Sequence, residues 1–186
     1  YFILTKETDK AASYLTKFSR LIRLILENSN QNTVTLQSEL ELIKLYVGLE
    51  QVRFDEKFTF ELILQDDIDS NSIFIPPMII QPFLENAIIH GIHPKKGPST
   101  LKLSISLKAK DLLQCRIEDN GIGRDKAQKI KLEKAHGKKS MGMNITEKRL
   151  LMISKDFKDV LKIEDAFPSL DNPGTRVQVL IPIVKK

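Results

Sequence analysis

After Gln81, three polar side chains lie in the otherwise apolar segment of residues 81–91, whose sequence is QPFLENAIIHG. In a buried helix, Glu85, Asn86 and His90 would each lose solvation, so each would need a partner. Asn86 and His90 are four residues apart and therefore share a helix face. Magnesium prefers oxygen ligands and keeps water and substrate phosphates in its shell, so the amide oxygen of Asn86 would suffice as protein ligand. This segment alone is equally compatible with Asn86 and His90 satisfying only nearby backbone groups.

A second polar group follows a strand pattern, in the sequence EDNGIG at residues 118–123. The strand would deliver Asp119, and Gly121 and Gly123 would let the backbone approach a planar ring. An ionised carboxylate makes a strong hydrogen bond to an exocyclic amine, which makes Asp119 a candidate for reading such a ring. The dipeptide Asn120-Gly121 is also a hairpin signal. However, the lysine-rich stretch that follows lacks strand alternation, so ring binding is favoured.

The positive charge of the chain is concentrated in residues 124–141, while the whole chain carries a formal net charge of +5. The segment has seven basic residues and two acids, a surplus of five, so the remainder is close to neutral. A nucleic-acid surface would spread its basic residues over a face, whereas one dense segment suits a compact polyanion such as a triphosphate. We expect no nucleic-acid partner and a lid that the polyanion orders; the alternative is a solvated helix. The basic residues are Arg124, Lys126, Lys129, Lys131, Lys134, Lys138 and Lys139.

A further helix is predicted to begin in the sequence SMGMN, residues 140–144. Backbone N–H groups at a helix N-terminus favour an anion, which makes Gly142 and Asn144 candidates for phosphate contact. Two other phosphate-binding patterns are excluded. A P-loop would need a glycine at the position of Leu132, and a dinucleotide fingerprint would need one at Lys126.

The hydrophobic pattern predicts the elements that position these residues, because helices repeat at three- and four-residue steps and strands alternate. The predicted helices are residues 8–30, a second that follows the N-cap Thr35, 78–91 and 141–154. The predicted strands are residues 57–64, 101–107, 112–118, 160–163 and 176–183. Helices among mainly antiparallel strands predict an α/β fold, a two-layer sandwich with an N-terminal helical pair.

Composition is that of a globular protein, with 41% hydrophobic and 28% charged residues. The longest apolar stretch, residues 73–84, is interrupted by prolines and is too short to span a bilayer. The single cysteine, Cys115, lies in a strand pattern, which predicts a buried thiol and a reducing compartment. Because the sequence begins at Tyr1 and shows no signal-peptide pattern, we expect a cytoplasmic fragment of a longer protein.

Together these elements resemble the Bergerat-fold ATPases, the superfamily of gyrase-type topoisomerases, heat-shock chaperones, mismatch-repair ATPases and histidine kinases. Asn86 matches the asparagine box that holds magnesium, and residues 119–123 match the glycine box whose aspartate reads the adenine amine. Gly142 matches the second glycine box, and Gly174-Thr175 match a late Gly-Thr element. The resemblance implies ATP and Mg²⁺ as cofactors, with Asn86 as the metal ligand. It implies an ATP site of Asn86, Asp119, Gly121, Gly123, Lys138, Lys139, Gly142, Asn144 and Thr175.

A closer resemblance, to LytS/YehU-type sensor histidine kinases, covers nearly the whole chain. It rests on residues 11–23, 35–46, 50–54, 75–77 and 81–91. It implies that the γ-phosphoryl group of ATP is transferred to a histidine upstream of this sequence, with Asn86, Glu85 and His90 as catalytic residues. It also implies a helical segment, 1–54, before the ATP-binding catalytic domain, 55–186. The implied partners are a second copy, bound through the N-terminal helices, and a response regulator of the LytTR type.

The phosphoacceptor motif of that family, His-Phe-(Leu/Ile)-Phe-Asn, is absent from this sequence, whose histidines are His90, His93 and His136. We therefore expect the fragment to be inactive alone. The family also implies a membrane-anchored protein, so we expect the fragment to reach a membrane only through upstream segments.

Two other functions are weighed against a kinase: an ATP-hydrolysing module like gyrase, and a degenerate kinase used only for interaction. Hydrolysing relatives place a general base four residues before the asparagine, where this chain has Pro82. Glu85 is adjacent to Asn86 and therefore about 100° round the helix from it. Kinase chemistry is favoured, since phosphoryl transfer relies on positioning and charge neutralisation. The presence of Asn86, Asp119 and the matching glycines disfavours a degenerate module.

Overall fold

The computed structural model describes residues 8–54, 57–134, 150 and 159–184, with side chains except at 131–134. Its helices are α1 (Thr8–Ser29), α2 (Leu36–Arg53), α3 (Gln81–Asn86) and α4 (Arg124–Lys134), and α3 continues into a π-helix, Ala87–Ile92. Its strands are β1 (Val34–Thr35), β2 (Phe58–Leu64), β3 (Phe74–Ile75), β4 (Ser99–Ala109), β5 (Leu112–Asp119), β6 (Leu161–Glu164) and β7 (Thr175–Pro182). The helix predicted for residues 141–154 lies outside the described residues, apart from residue 150. We refer to residues 81–92, α3 and the π-helix together, as the Asn86 helix.

Five strands form one sheet in the order β2-β4-β5-β7-β6. β2 and β4 are parallel, and the other neighbours are antiparallel. The mainly antiparallel sheet predicted from the sequence is therefore confirmed, as is the α/β sandwich. Asp119, the last residue of β5, lies opposite Leu101 of β4 and Thr175 of β7. This register places its side chain at the end of the central strand.

The core lies on the helix-covered face of the sheet. Leu101, Leu103 and Ile105 alternate along β4 and are buried. They belong to one hydrophobic cluster with residues of α2 and of the Asn86 helix. α2 contributes to this cluster an apolar stripe at three- and four-residue steps. The α2 stripe consists of Leu36, Leu40, Ile43 and Val47. The boundary predicted between residues 54 and 55 stays a prediction, and the helix that precedes it shares this core.

The N-terminal helical pair is present. Thr35 caps α2, as predicted, by accepting a hydrogen bond from the Ser38 backbone N–H at 3.1 Å. α1 packs on the other side of α2, where Leu21 joins a small apolar cluster, and Arg20 forms an ion pair with Glu41. Among the described residues, no helix combines the length and the apolar character needed to cross a bilayer.

The Asn86 helix begins later than the sequence predicted. It was expected to run over residues 78–91, but it starts at Gln81, after a turn in which Met78 has a φ of 52°. Pro82 suits the first turn of a helix, because its missing N–H needs no partner there. The turn is linked to the N-terminus of α2, since β3 pairs with β1 in a two-stranded sheet that the sequence did not predict.

Candidate functional site

The carboxyl group of Asp119 is the buried polar centre of the site. Asp119 is only 2% exposed, and its Oδ1 accepts a hydrogen bond from the backbone N–H of Gly121 at 2.8 Å. Burial raises the pKa of Asp119 to about 7, against the opposing effects of the Gly121 and Thr175 backbone N–H groups and the charge of Lys95. Near neutral pH the carboxyl group therefore changes between a hydrogen-bond donor and an ionised acceptor.

Three glycines surround Asp119 and let backbone segments touch. The N–H of Ile122 donates to the carbonyl oxygen of Gly91 at 3.0 Å. The N–H of Gly174 donates to the carbonyl oxygen of Gly121 at 3.1 Å. A Cβ built on Gly91 would lie 2.7 Å from Oδ1 of Asp119, and one on Gly121 would lie 2.3 Å from the carbonyl carbon of Gly91. One on Gly174 would lie 2.0 Å from the backbone oxygen of Asp119. We call Gly91, Gly121 and Gly174 the glycine junction.

Gly123 has a different place. Its φ is +82°, and an added Cβ would lie 2.5 Å from Cγ of Pro173. Its carbonyl oxygen accepts the N–H of Ala127 at 3.1 Å, within the first turn of α4. Gly123 therefore turns the chain from the loop after Asp119, residues 120–123, into α4. At this turn Gly123 packs against the loop that precedes β7.

Asn86 is half-buried at the point where α3 becomes the π-helix. Its Nδ2 donates to the carbonyl oxygen of Pro82 at 2.6 Å. Because Pro82 offers only an acceptor there, this bond fixes which end of the amide is nitrogen and leaves Oδ1 for a ligand. His90 is half-buried one turn later on the same helix. The π-helix contacts β5, so the residues that could hold a metal and read a ring come from two elements in direct contact.

Glu85 faces α2. Its Oε1 accepts a hydrogen bond from Nε2 of Gln81 at 2.8 Å. Burial and the nearby carboxylate of Glu50 raise the pKa of Glu85, and Gln81 opposes them. Burial, together with Glu50 and Glu85, also raises the pKa of the Tyr46 phenol. The catalytic role predicted for Glu85 stays a prediction, and the described contacts place its carboxyl group at the interface with α2.

The basic segment begins with side chains that already have partners. Arg124 Nε lies 3.2 Å from Asp165 Oδ1, and Lys126 Nζ lies 2.9 Å from Asp171 Oδ1. These two cations anchor the start of α4 to the loop between β6 and β7. The remaining predicted phosphate contacts, Lys138, Lys139, Gly142 and Asn144, lie outside the described residues.

Sequence reasoning gave no individual role to Gly91 or Lys95, both of which the structure brings to Asp119. A glycine at the end of a predicted helix was the available signal for Gly91, since glycine costs about 1 kcal/mol in a helix unless close packing requires it. Nothing in the pattern around Lys95 indicated its place. Thr175 was predicted as an ATP contact, which stays a prediction. In the structure its backbone N–H group lowers the pKa of the Asp119 carboxyl group.

Comparisons with known proteins point to one group. A family model described as "Histidine kinase" matches residues 1–58. The chain is 33% identical over 117 residues to the sensor protein LytS of Staphylococcus epidermidis, covering 63% of this chain and 19% of LytS. It is 27% identical over 176 residues to the sensor histidine kinase YpdA of Escherichia coli K12, covering 94% of this chain and 29% of YpdA.

The chain is also 27% identical over 180 residues to the protein YwpD of Bacillus subtilis, covering 96% of this chain and 61% of YwpD. It therefore spans less than two thirds of the length of these relatives. Two solved structures share its fold with a TM-score of 0.54 each. The mycobacterial sensor histidine kinase MprB is 15% identical and covers 83% of this chain and 98% of that one. The histidine kinase domain of Erythrobacter litoralis EL346 is 14% identical and covers 97% of this chain and 84% of that one.

Proposed function

We propose that this chain is a LytS-type histidine kinase ATP-binding domain, which binds ATP with magnesium and presents the γ-phosphoryl group to a histidine outside this sequence. The observation that carries the proposal is the buried carboxyl group of Asp119, with backbone rather than side chains packed around it at Gly91. A flat ring with an exocyclic amine can reach a carboxylate in such surroundings, where a side chain would block it.

Magnesium would be held by Oδ1 of Asn86 together with the phosphate oxygens of the nucleotide. The bond from Asn86 Nδ2 to Pro82 supports this assignment, because it orients the amide oxygen without engaging it. The metal would neutralise charge on the transferred phosphoryl group. We extend the proposal to Thr175, Lys138, Lys139, Gly142 and Asn144 as nucleotide contacts, and to His90 as a residue beside Asn86.

A kinase is proposed rather than a hydrolase because of Pro82. That residue occupies the position four before Asn86 and has no side chain that could accept a proton from water. Glu85, the nearest carboxyl group in sequence, accepts a hydrogen bond from Gln81 and lies near the carboxylate of Glu50 on α2 instead. An incoming imidazole needs no such base, since its neutral nitrogen is already nucleophilic.

Replacing Asn86 with alanine is expected to remove the magnesium-dependent part of nucleotide affinity. Loss of one ligand bond to a charged group costs roughly 1–3 kcal/mol, or about 5- to 150-fold in affinity. The measurement is calorimetric titration of ADP in magnesium and in EDTA. Affinity in EDTA should change little, because the Asp119 side of the site is on another element. Asn32→Ala, on an exposed loop, is the matched control. An unchanged magnesium effect in Asn86→Ala would contradict the metal assignment.

The partner proposed for the helical segment is a second copy of the chain. α1 turns Leu21 toward α2, but it exposes an apolar stripe along an adjacent face. Large side chains exposed at three- and four-residue steps are typical of a helix that packs against another helix. The stripe consists of Leu15, Phe18, Ile22 and Leu26. The helical segment that we distinguish from the ATP-binding unit would then contain α1 as its dimerisation element.

A charge in this stripe is expected to dissociate the dimer. Leu26 and Leu170 are both 59% exposed, and only Leu26 belongs to the stripe. Leu26→Glu should therefore raise the dissociation constant of the dimer at least tenfold, because a buried unpaired carboxylate is costly. In sedimentation equilibrium, the average mass of this variant should shift toward that of the monomer. Leu170→Glu should leave the mass unchanged. Equal behaviour of the two variants would count against α1 as the interface.

The remaining partners are proposed from the sensor-kinase relatives. After autophosphorylation, a response regulator would take the phosphoryl group, and a LytTR-type regulator is the one we propose. Membrane attachment would come from segments outside this sequence, and the domain would work on the cytoplasmic side.

A further inference from the structure

We infer that Glu39 is a positioning residue for the Asn86 helix, acting from α2 through the turn at residues 78–80. The inference rests on the proposed function, since it concerns how Asn86 is held for magnesium. Glu39 is on the face of α2 that packs against this turn, and it touches neither Asn86 nor Asp119 in any described contact.

The carboxylate of Glu39 caps the turn. Glu39 is fully buried, with 0% exposure. Its Oε2 accepts the N–H of Met78 at 2.8 Å, and its Oε1 accepts the N–H of Ile80 at 3.2 Å. A carboxylate that accepts two backbone N–H groups in a buried site forms strong, directional bonds. These bonds cross 39 and 41 positions of sequence, so they fix α2 against the segment that leads into Gln81.

The turn held by Glu39 is a strained one. Met78 has a φ of 52°, a conformation that costs a non-glycine residue free energy and persists only where neighbours enforce it. The Met78 side chain packs in the cluster formed by Leu21 of α1 and by Leu42 and Leu49 of α2. One residue of the turn therefore joins both N-terminal helices to the start of the Asn86 helix.

A displacement of the turn would be carried to Asn86 but not equally to Asp119. Ile80 immediately precedes Gln81, and a helix of this length transmits a shift at its first residue to Asn86 one and a half turns later. Asp119 is held by β5 and its neighbours β4 and β7, and its described contact with the Asn86 helix is at Gly91, five residues farther from the turn than Asn86. Glu39 should therefore govern the magnesium-dependent gain in nucleotide affinity more than affinity for the nucleotide alone.

The test compares Glu39→Gln with wild type, using the ratio of the ADP dissociation constant in EDTA to that in magnesium. Glutamine keeps one acceptor but opposes an N–H donor with its own N–H₂, so one of the two bonds is lost. We expect the ratio to fall roughly tenfold while the constant in EDTA stays within about twofold. Glu41→Gln, two residues along α2 and directed at Arg20 of α1, is the control and should leave the ratio unchanged.

Amide exchange in the wild-type protein keeps the inference testable if Glu39→Gln does not fold. Magnesium-ADP should slow exchange of the Met78 and Ile80 amides more than ADP in EDTA does. If Glu39→Gln lowers affinity equally in magnesium and EDTA, or if the two amides do not respond to the metal, Glu39 is only a core residue and the inference fails. A wild-type protein that gains no affinity from magnesium would instead overturn the metal site itself, and this inference with it.

Discussion

Replacing Asp119 with asparagine is expected to abolish adenine recognition and, at the same time, to stabilise the nucleotide-free protein above pH 7. The first effect follows from the two ways in which an asparagine amide can face the ring amine, which is a hydrogen-bond donor. Its oxygen is an uncharged and therefore weaker acceptor, and its N–H₂ group is a second donor that cannot bond to the amine. Loss of that buried bond costs roughly 1–3 kcal/mol, or about 5- to 150-fold in affinity for ADP. Wild-type affinity should also weaken as pH falls below about 7, where Asp119 is protonated.

The second effect follows from the raised pKa of Asp119. The folded protein holds the proton up to about pH 7, whereas the unfolded chain releases it near the ordinary aspartate pKa of 3.8. Folded protein therefore binds more protons between these values, and stability falls as pH rises from about 4 to about 7. The full penalty, on the order of 4 kcal/mol, applies above pH 7. Because an asparagine amide is itself incompletely paired, we expect a net gain of roughly 1–3 kcal/mol at pH 8.

Urea unfolding of both proteins at pH 5 and pH 8 would measure the stability effect, and ADP titration at the same pH values would measure binding. The stability advantage of Asp119→Asn should be larger at pH 8 than at pH 5. Asp111→Asn, the same change at an exposed residue of the β4–β5 hairpin, should alter neither quantity. A variant that binds ADP as tightly as wild type would rule out Asp119 as the adenine contact.

The sequence was sufficient for the strands of the five-stranded sheet and for the place of Asp119 at the end of one of them. Alternation over most of their length predicted β2, β4 and β5, because one face of each strand packs on the core while the other does not. Asp119 was predictable because a carboxylate at the end of a buried strand needs a partner, and the glycines after it indicated backbone approach. These signals are local, so a single sequence contains them.

Long-range contacts limited what could be predicted. The start of the Asn86 helix depends on Glu39, which lies some forty residues earlier and appears in the sequence as one more charged residue of α2. The catalytic role of Glu85, implied by the resemblance to sensor histidine kinases, stays a prediction; its carboxyl group accepts a hydrogen bond from Gln81 and lies near the carboxylate of Glu50 on α2. The surroundings of both carboxylates are set by packing between elements, which periodicity does not encode.

The glycine junction is expected to show a graded response to alanine, set by what each new Cβ would meet. Gly174→Ala should unfold the protein, since its Cβ would lie 2.0 Å from the backbone oxygen of Asp119, at a φ of +59° that alanine disfavours. Gly121→Ala should be nearly as damaging, because the obstacle 2.3 Å away is backbone of Gly91. Gly91→Ala meets a side-chain oxygen at 2.7 Å instead, so it should fold and lose nucleotide.

Gly48→Ala is the matched control, because nothing lies within 4 Å of its Cβ and it is inside α2, where alanine is favoured by about 1 kcal/mol. Thermal unfolding should therefore rank the variants Gly48→Ala, Gly91→Ala, Gly121→Ala and Gly174→Ala, from most to least stable. In ADP titration, Gly91→Ala should lose at least tenfold in affinity while its circular dichroism stays native, since its methyl group displaces only the Asp119 carboxyl group. If Gly91→Ala binds ADP normally, the ring cannot lie against the Gly91 side of Asp119. A folded Gly174→Ala would mean that the junction tolerates a side chain, and that close backbone packing does not hold the site together.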